Sequence, residues 1–253
     1  DIEHPKEKIY DLYDWDEVLQ ETGDGGKVVV CTCREDPSKE YVMKIRSRKE
    51  LKKSGFEDHF RQVQRRMLNL PEHSGVIPVS RVLEDDSFYY VLMQKAECGS
   101  LIEGLLQDFP SGVIPDAEIK RILGEMLSAV GHVHNQGMLH RDIKPDNFVM
   151  DLRDAPNSPG GVAMSPRLVD FDHAKPDFDG GIEPTDTLCG THGFQAPETF
   201  LGEFSVKSDL FSIGACLYLL MTGKMPFSDE CFQEGVPPEE IYEIMEEARV
   251  DWD

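Results

Sequence analysis

The sequence has few basic residues and no long hydrophobic run. Its 253 residues include 26 lysines and arginines against 48 aspartates and glutamates, for a formal net charge of −22. Such a chain repels a phosphate backbone on average, so we expect no nucleic-acid partner. The longest apolar run, residues 210–221, contains Ser212 and Gly214 and is shorter than the roughly 18 residues that a membrane helix needs. The start of the chain carries no apolar signal region, and we expect no membrane span.

Cysteines are also scarce and irregularly placed. The six of them form no C-x-x-C pair and no regular series of spacings, so neither a zinc site nor a disulfide framework is supported. This usage is typical of a reducing, intracellular compartment, and we predict a cytoplasmic location. The chain is nevertheless 40% apolar, which is enough to bury a core, and its length predicts one large domain or two lobes.

The first ninety-odd residues predict a small β-sheet with one helix. Runs rich in β-branched residues, bounded by turn formers, predict strands. These strands are expected at residues 27–33, 40–46, 76–83 and 88–93. Between the second and third of them, apolar residues recur at helical spacing from Glu57 to Leu70, where Pro71 ends the run.

The remainder of the chain is predicted to be mostly helical. A long amphipathic helix starts near Pro115, with Asp116 as its N-cap. A further helix at residues 207–221 is apolar nearly all round, which indicates a buried position. The expected fold class is therefore α+β, with a small sheet first and helices after it.

One stretch carries a recognisable set of chemical groups. Residues 140–147 read His-Arg-Asp-Ile-Lys-Pro-Asp-Asn, and they are followed by Asp170-Phe171-Asp172 and then by Ala196-Pro197-Glu198. Together with Lys44 in an upstream strand, this set resembles the protein kinases in order and spacing. The resemblance implies a bilobal fold, with the amino-terminal lobe at residues 1–94 and the carboxy-terminal lobe at 95–253. The last helices of the family's second lobe are expected to be missing.

The resemblance implies a phosphoryl-transfer site that uses ATP and Mg²⁺. Lys44 would hold the α- and β-phosphates, Asn147 and Asp170 would hold Mg²⁺, and Lys144 would stabilise the transferred phosphoryl group. Asp142 would position the substrate hydroxyl and accept its proton.

A nucleotide pocket is implied in the same way. A glycine-rich segment stands where the phosphate-covering loop is expected, although its third glycine position is Val28. Met93 falls at the gatekeeper position, and Gln94 and Ala96 would contact adenine through their backbone. The complete predicted set is Gly23, Gly25, Gly26, Val30, Val42, Lys44, Met93, Gln94, Ala96 and Val149.

Residues 187–191, Thr-Leu-Cys-Gly-Thr, resemble the end of an activation segment in serine/threonine kinases. Thr191 would hydrogen-bond Asp142 and Lys144. Thr187 falls at the regulatory phosphosite, where a phosphate would pair with Arg141 and order the loop. The alternative is that Thr187 is an ordinary loop threonine.

Two further positions depart from the family pattern. The helix glutamate that should pair with Lys44 is Gln64, and the glycine of D-F-G is Asp172. Glu57, two turns upstream of Gln64, is the nearest acid. A pseudokinase that acts as a scaffold or allosteric partner therefore stays open beside a working protein kinase, and a kinase that phosphorylates a small molecule is a third possibility.

Within the superfamily, residues 122–130, 140–148 and 208–227 resemble most the calmodulin-dependent and calcium-dependent protein kinases. This implies a protein substrate, together with a regulatory tail or calcium-sensing module outside this chain. The acidic composition suits basic substrate peptides. Two positions that read substrate arginines in basophilic relatives are Ser100 and Leu219 here, so the substrate preference stays open.

Overall fold

A computed structural model of the chain describes residues 1–21, 26–154, 161–185, 189–233 and 235–251. The chain divides into two compact units. The first unit comprises Asp1–Glu72 and Ile77–Ala96, and the second unit comprises His73–Val76 and Glu97–Asp253.

The first unit contains a five-stranded antiparallel sheet with the strand order β1-β2-β3-β5-β4. Its strands are β1 Tyr13–Glu21, β2 Lys27–Cys33, β3 Glu40–Ser47, β4 Val79–Glu84 and β5 Phe88–Gln94. The four predicted strands are present. Strand β1 was not predicted, because most of its side chains are polar and exposed and its sequence shows neither an apolar run nor a clear alternation.

Three helices accompany this sheet: α1 Ile9–Leu12, α2 Arg48–Lys53 and α3 Glu57–Leu68. Only α3 was predicted, since the other two are too short to show helical periodicity. Along α3, Phe60, Val63, Gln64 and Met67 are buried. The ring of Phe60 lies 5.0 Å from that of Tyr89 in β5, so the buried stripe of α3 packs on the sheet.

Alternate residues of β5 belong to two different apolar clusters. Tyr90 and Leu92 pack with Met43 of β3, whereas Tyr89 and Val91 pack with Phe60 of α3 and with its neighbours. Because successive strand residues point to opposite faces, the sheet is buried on both sides.

The second unit is mostly helical, which confirms the α+β class. Its helices are α4 Leu101–Asp108, α5 Asp116–Asn135, α6 Val206–Thr222 and α7 Pro238–Glu247. Two small antiparallel sheets join β6 Phe148–Asp154 to β7 Val162–Leu168, and β8 Glu183–Pro184 to β9 Glu203–Phe204. No helix in the described ranges is long and apolar enough to cross a membrane.

Two details of the helix predictions are wrong. Pro115, with its extended backbone, is the N-cap of α5, and Asp116 is the first helical residue, where a carboxylate still favours the positive end of the helix dipole. In α6 the apolar Leu210 and Met221 are 44% and 56% exposed, while Ser208, Asp209 and Ser212 are buried. Hydrogen bonds of the polar residues at the start of α6 determine which side of the helix is buried. The apolar periodicity of the sequence does not predict these hydrogen bonds.

Replacing Gly104 of α4 by alanine is expected to lower the free energy of unfolding by about 1–3 kcal/mol. A Cβ atom there would lie 2.6 Å from Cγ of Met150 in β6, so the helix and the strand would have to separate. Urea denaturation measures the change.

The matched control is Gly124→Ala in α5, where an added Cβ meets nothing within 4 Å. This substitution should raise the free energy of unfolding by about 0.5–1 kcal/mol, because alanine favours the helix. Equal effects of the two substitutions would contradict close packing at Gly104.

Candidate active site

The catalytic-loop backbone is held by one buried carboxylate. Asp209, near the start of α6, accepts hydrogen bonds from the backbone N–H groups of His140 and Arg141, both at 2.9 Å. Nε2 of His134 in α5 lies 2.8 Å from the same side chain. Burial alone would raise the pKa of Asp209, but the hydrogen bonds from the His134 side chain and the His140 backbone favour the ionised carboxylate, and the net shift is downward. Asp209 is therefore ionised, and His134 donates to it.

His140 supports the loop from inside. Its Nε2 donates to the carbonyl of Val169 at 3.0 Å, and its Nδ1 accepts from the backbone N–H of Asp142 at 3.3 Å. Complete burial lowers the pKa of His140 despite the carboxylates around it, so the ring is neutral and this tautomer is fixed. The ring packs edge-on against Phe171 with centroids 4.8 Å apart, which ties the loop to the Asp170-Phe171-Asp172 segment.

Asp142 lies at the centre of three polar side chains. Oγ1 of Thr191 donates to Oδ1 of Asp142 at 2.7 Å and accepts from Nζ of Lys144 at 2.8 Å. Nζ of Lys144 also lies 3.1 Å from Oδ2 of Asp142, and Nδ2 of Asn147 donates to that oxygen at 3.0 Å. Burial would raise the pKa of Asp142, but Thr191 and Lys144 lower it further than burial raises it. An ionised carboxylate with fixed orientation results, and the two hydrogen bonds expected of Thr191 are present.

The β6–β7 ladder determines where Asn147 and Asp170 lie. Phe148 pairs with Leu168, and the N–H of Val169 donates to the carbonyl of Asn147 at 2.9 Å. Asp170 follows directly, with a φ of 62°, a left-handed conformation that aspartate tolerates better than most side chains.

The donor set fits the predicted Mg²⁺. The amide nitrogen of Asn147 is committed to Asp142, so its amide oxygen is the atom that can ligate a cation; the Asp170 carboxylate is the other predicted ligand. Mg²⁺ is commonly held by one or two such oxygens and completed by substrate phosphates and water. Among the described residues, no three His, Cys, Asp or Glu side chains converge as a metal site of their own.

In the first unit, three of the predicted nucleotide residues form a row across the sheet. Val42 of β3 pairs with Val30 of β2 on one side and with Met93 of β5 on the other. Lys44 lies two residues beyond Val42 on the same face, opposite Val91. Directly opposed residues share a face, and Val91 packs in the cluster that contains Phe60 of α3. Lys44, which is buried, therefore projects from the face on which α3 packs.

Gln64 is buried on that side of the unit, and its Oε1 has no hydrogen-bond partner among the described residues. A buried unsatisfied amide oxygen costs about 1–3 kcal/mol. Glu57 does not replace the missing acid, because its Oε1 already accepts from the hydroxyl of Tyr89 at 2.8 Å and from Nε of Arg48 at 3.3 Å.

Arg141 has partners of its own in the second unit. Its Nε donates to the carbonyl of His173 at 2.6 Å, and its guanidinium lies 5.5 Å from the ring centre of Phe204 in β9. Thr187, its predicted phosphate-bearing partner, lies outside the described residues, so this pairing stays a prediction.

The other predicted nucleotide residues are distributed along the chain. Gly26 is buried immediately before β2, Gln94 ends β5, and Ala96 ends the first unit. Val149 belongs to β6 of the second unit, where it pairs with Arg167. Gly23 and Gly25 lie outside the described residues. Sequence reasoning missed the role of His134, because nothing in the order of residues links it to Asp209, 75 positions away.

The sequence profile of the protein kinase domain matches residues 17–252, and the chain therefore belongs to this family. It is 30% identical over 210 residues to calcium/calmodulin-dependent protein kinase type 1 of Macrobrachium nipponense, an alignment that covers 83% of this chain and 56% of that protein. The protein of the same name in Caenorhabditis elegans is 28% identical over 227 residues, with 89% of this chain and 60% of that protein covered.

A third relative, serine/threonine-protein kinase cds1 of Schizosaccharomyces pombe, is 28% identical over 223 residues, which cover 84% of this chain and 45% of that protein. The first two are calcium/calmodulin-dependent protein kinases by name and the third is a serine/threonine-protein kinase by name, and the predicted resemblance to the calmodulin-dependent group is confirmed. The chain spans about half the length of the curated relatives it matches.

Replacing Asp209 by asparagine is expected to lower the free energy of unfolding at neutral pH by about 3 kcal/mol. The asparagine side chain keeps one acceptor oxygen but carries no charge. Its NH₂ group would face one of the N–H donors that bind Asp209. Urea denaturation measures the loss, and Asp177→Asn, at an exposed position, is the control.

The pH dependence follows from the lowered pKa of Asp209. A carboxyl whose pKa is lower in the folded state contributes its stability above the pKa of the unfolded chain and loses it as the pH falls through the folded value. The difference between the wild type and Asp209→Asn should therefore shrink in acid. A difference that is small at pH 7, or that grows in acid, would contradict the assignment.

Proposed function

We propose that the chain is an ATP- and Mg²⁺-dependent protein serine/threonine kinase, with Asp142 as the residue that accepts the proton of the substrate hydroxyl. The observation that carries this proposal is the ionised, buried Asp142 carboxylate held by Thr191, Lys144 and Asn147. Membership of the protein kinase domain family supports it, because that family generally uses ATP and Mg²⁺.

The geometry suits proton transfer and orientation. Thr191 occupies Oδ1 of Asp142, while Lys144 and Asn147 adjoin Oδ2, so the carboxylate cannot rotate freely and presents a fixed direction to a hydroxyl. Its lowered pKa keeps it unprotonated at neutral pH, so that it can accept a proton as the oxygen attacks. Lys144 carries its charge beside the same carboxylate, where it can stabilise the transferred phosphoryl group.

The remaining roles belong to the same proposal. Mg²⁺, when bound, neutralises charge that develops on the phosphates; Asn147 and Asp170 would hold it. Lys44 would contact the α- and β-phosphates, and the adenine contacts would be the Val30–Val42–Met93 row and Val149. The two units would be the lobes of the kinase, with the boundary near residue 94.

The proposal extends to partners and location. The substrate is a protein, for which the net charge favours a basic segment. The calmodulin-dependent relatives support a regulatory tail or calcium-sensing module outside this chain, and phosphorylation of Thr187 would add a charge for Arg141. All six cysteines, which lie in the described ranges, are free thiols, and this supports a reducing, intracellular location.

A pseudokinase is the second candidate, and Gln64 is the observation that favours it. Its amide cannot neutralise Lys44, and its buried Oε1 has no hydrogen-bond partner in the part of the chain that the structure describes. Asp172, in place of the D-F-G glycine, adds a carboxylate beside Asp170, whose Oδ1 accepts from the Asp172 N–H at 3.4 Å. Both changes weaken the electrostatic arrangement that phosphoryl transfer requires.

Asp142→Asn is expected to reduce transfer of labelled γ-phosphate from ATP to a basic protein by about 10²–10⁴-fold, because asparagine cannot accept the proton. The control is Asp146→Asn in the same loop, which is exposed and should leave transfer unchanged. Transfer that persists in Asp142→Asn would contradict the assignment of the base. No transfer by the wild type, even after treatment with an activating kinase and Ca²⁺, would favour the pseudokinase.

Gln64→Glu is expected to raise transfer, or to create it in a silent protein, because a carboxylate can pair with Lys44. The matched control is Gln62→Glu, the same chemical change at an exposed position of α3. The rates of both variants are compared at subsaturating ATP. Equal transfer rates for the two variants would show that the missing carboxylate at Gln64 does not limit the function of Lys44.

A further inference from the structure

Five side chains join α3 to the rest of the first unit. Glu57 and Arg61 project from α3, Glu84 ends β4, Tyr89 lies in β5, and Arg48 begins α2. We call these five residues the α3 clamp.

Arg61 is the central donor of the clamp. Its Nη1 donates to Oε2 of Glu84 at 2.6 Å and to the hydroxyl of Tyr89 at 2.8 Å. The Tyr89 hydroxyl in turn donates to Oε1 of Glu57 at 2.8 Å. Nη1 of Arg48 lies 3.5 Å from Oε2 of Glu84. The clamp is therefore a closed network of charged and polar groups in which each carboxylate faces at least one arginine.

Because the network is buried, it favours one position of α3. The side chain of Glu84 is only 1% exposed, and the guanidinium carbons of Arg48 and Arg61 lie 5.2 Å and 5.6 Å from the ring centre of Tyr89. A displacement of α3 would leave the Glu84 charge without its closest partner in a site that water hardly reaches, which is unfavourable. The network therefore favours one placement of the helix over neighbouring ones.

Glu84 is itself fixed by backbone pairing on two sides. It lies opposite Tyr89 in the β4–β5 ladder, and its N–H donates to the carbonyl of Glu3 at 2.9 Å. Nε2 of His4 lies 2.8 Å from its other oxygen, an ion pair when His4 is protonated. The acceptor to which α3 is tied is thus a rigid part of the sheet.

The clamp and Gln64 lie on one stripe of α3. Glu57, Arg61 and Gln64 are spaced i, i+4 and i+7, so they follow one another along the same side of the helix. The clamp holds the first two turns of that stripe with charged groups. The next turn carries the neutral Gln64, for whose Oε1 the described ranges offer no hydrogen-bond partner. Fixing the first two positions also fixes the direction of the third.

We propose that the α3 clamp positions α3 beside Lys44 in place of the helix glutamate that this chain lacks. Arg61, Glu57, Glu84, Tyr89 and Arg48 are then positioning residues, and they act on Lys44 only through the placement of α3. The consequence for phosphoryl transfer rests on the proposed function, whereas the placement of α3 and the binding of nucleotide by Lys44 do not require catalysis.

The test is a double-mutant cycle on the full chain with Arg61→Met, Gln64→Glu and the two combined. Arg65→Met is the matched control, since Arg65 lies one turn further along α3 with an exposed side chain. Three quantities are measured for each protein: amide hydrogen exchange in α3, affinity for a non-hydrolysable ATP analogue with Mg²⁺, and KM for ATP beside kcat.

Arg61→Met should increase amide exchange in α3 by about tenfold relative to Arg65→Met, because local opening becomes easier. It should weaken analogue binding and raise KM for ATP more than it lowers kcat. Gln64→Glu should strengthen analogue binding far more in the Arg61→Met background than in the wild type. In that background the new carboxylate, paired with Lys44, would hold α3 in place of Arg61. A residue that only contributes to global stability would not be rescued at Gln64.

The proposal is overturned if Arg61→Met exchanges in α3 no faster than Arg65→Met, or if the effects of Arg61→Met and Gln64→Glu on analogue affinity are simply additive. If Arg61→Met fails to fold, Tyr89→Phe, which removes only the hydroxyl shared by Arg61 and Glu57, takes its place with the same expectations. A chain without any transfer activity would contradict the proposed function alone, because exchange and analogue binding still decide whether the clamp positions α3.

Discussion

The hydrogen bonds from the backbone N–H groups of His140 and Arg141 to the Asp209 carboxylate are the interaction on which the candidate active site depends. They fix the loop at the residue before Asp142 and force Arg141 into a left-handed conformation with a φ of 66°. From that point the next residue, Asp142, is directed toward Lys144, Thr191 and Asn147. One buried charge at the start of α6 thus sets the direction of a carboxylate that lies 67 positions earlier in the chain.

In the first unit, a different buried carboxylate plays a similar structural role. There, Glu84 at the end of β4 receives Arg61 from α3 and Arg48 from α2, and the sheet fixes its backbone. In both units a buried carboxylate with several donors ties a helix or a loop to a rigid element. Such sites are costly when a partner is missing, and for this reason they specify one arrangement. Gln64 differs from these carboxylates, because its buried Oε1 has no hydrogen-bond partner among the described residues.

Much of the fold and the chemistry could be predicted from the order of residues. The β2–β3 hairpin, α3 and the spacing from His140 to Glu198 depend on local patterns, and Thr191 carried a specific expectation of two hydrogen bonds that are present. Other features could not be predicted because they lack a local signal. The strand β1 is mostly polar on its exposed face, and α2 is too short to show helical periodicity. The N-cap of α5 is Pro115 rather than Asp116, because the backbone of Pro115 is extended.

The sequence by itself determined which chemical groups are present and in what order, and this was enough to predict the family, the candidate base Asp142 and the two departures at Gln64 and Asp172. Only the tertiary structure decided which groups pair over long separations. Glu57 is engaged by Tyr89 and Arg48 rather than available to Lys44, and Asp209 is engaged by His134 and the catalytic loop. The physical reason is that a side chain's partner depends on burial and direction. Burial and direction are determined when distant strands and helices pack together, and the spacing of neighbouring residues does not predict them.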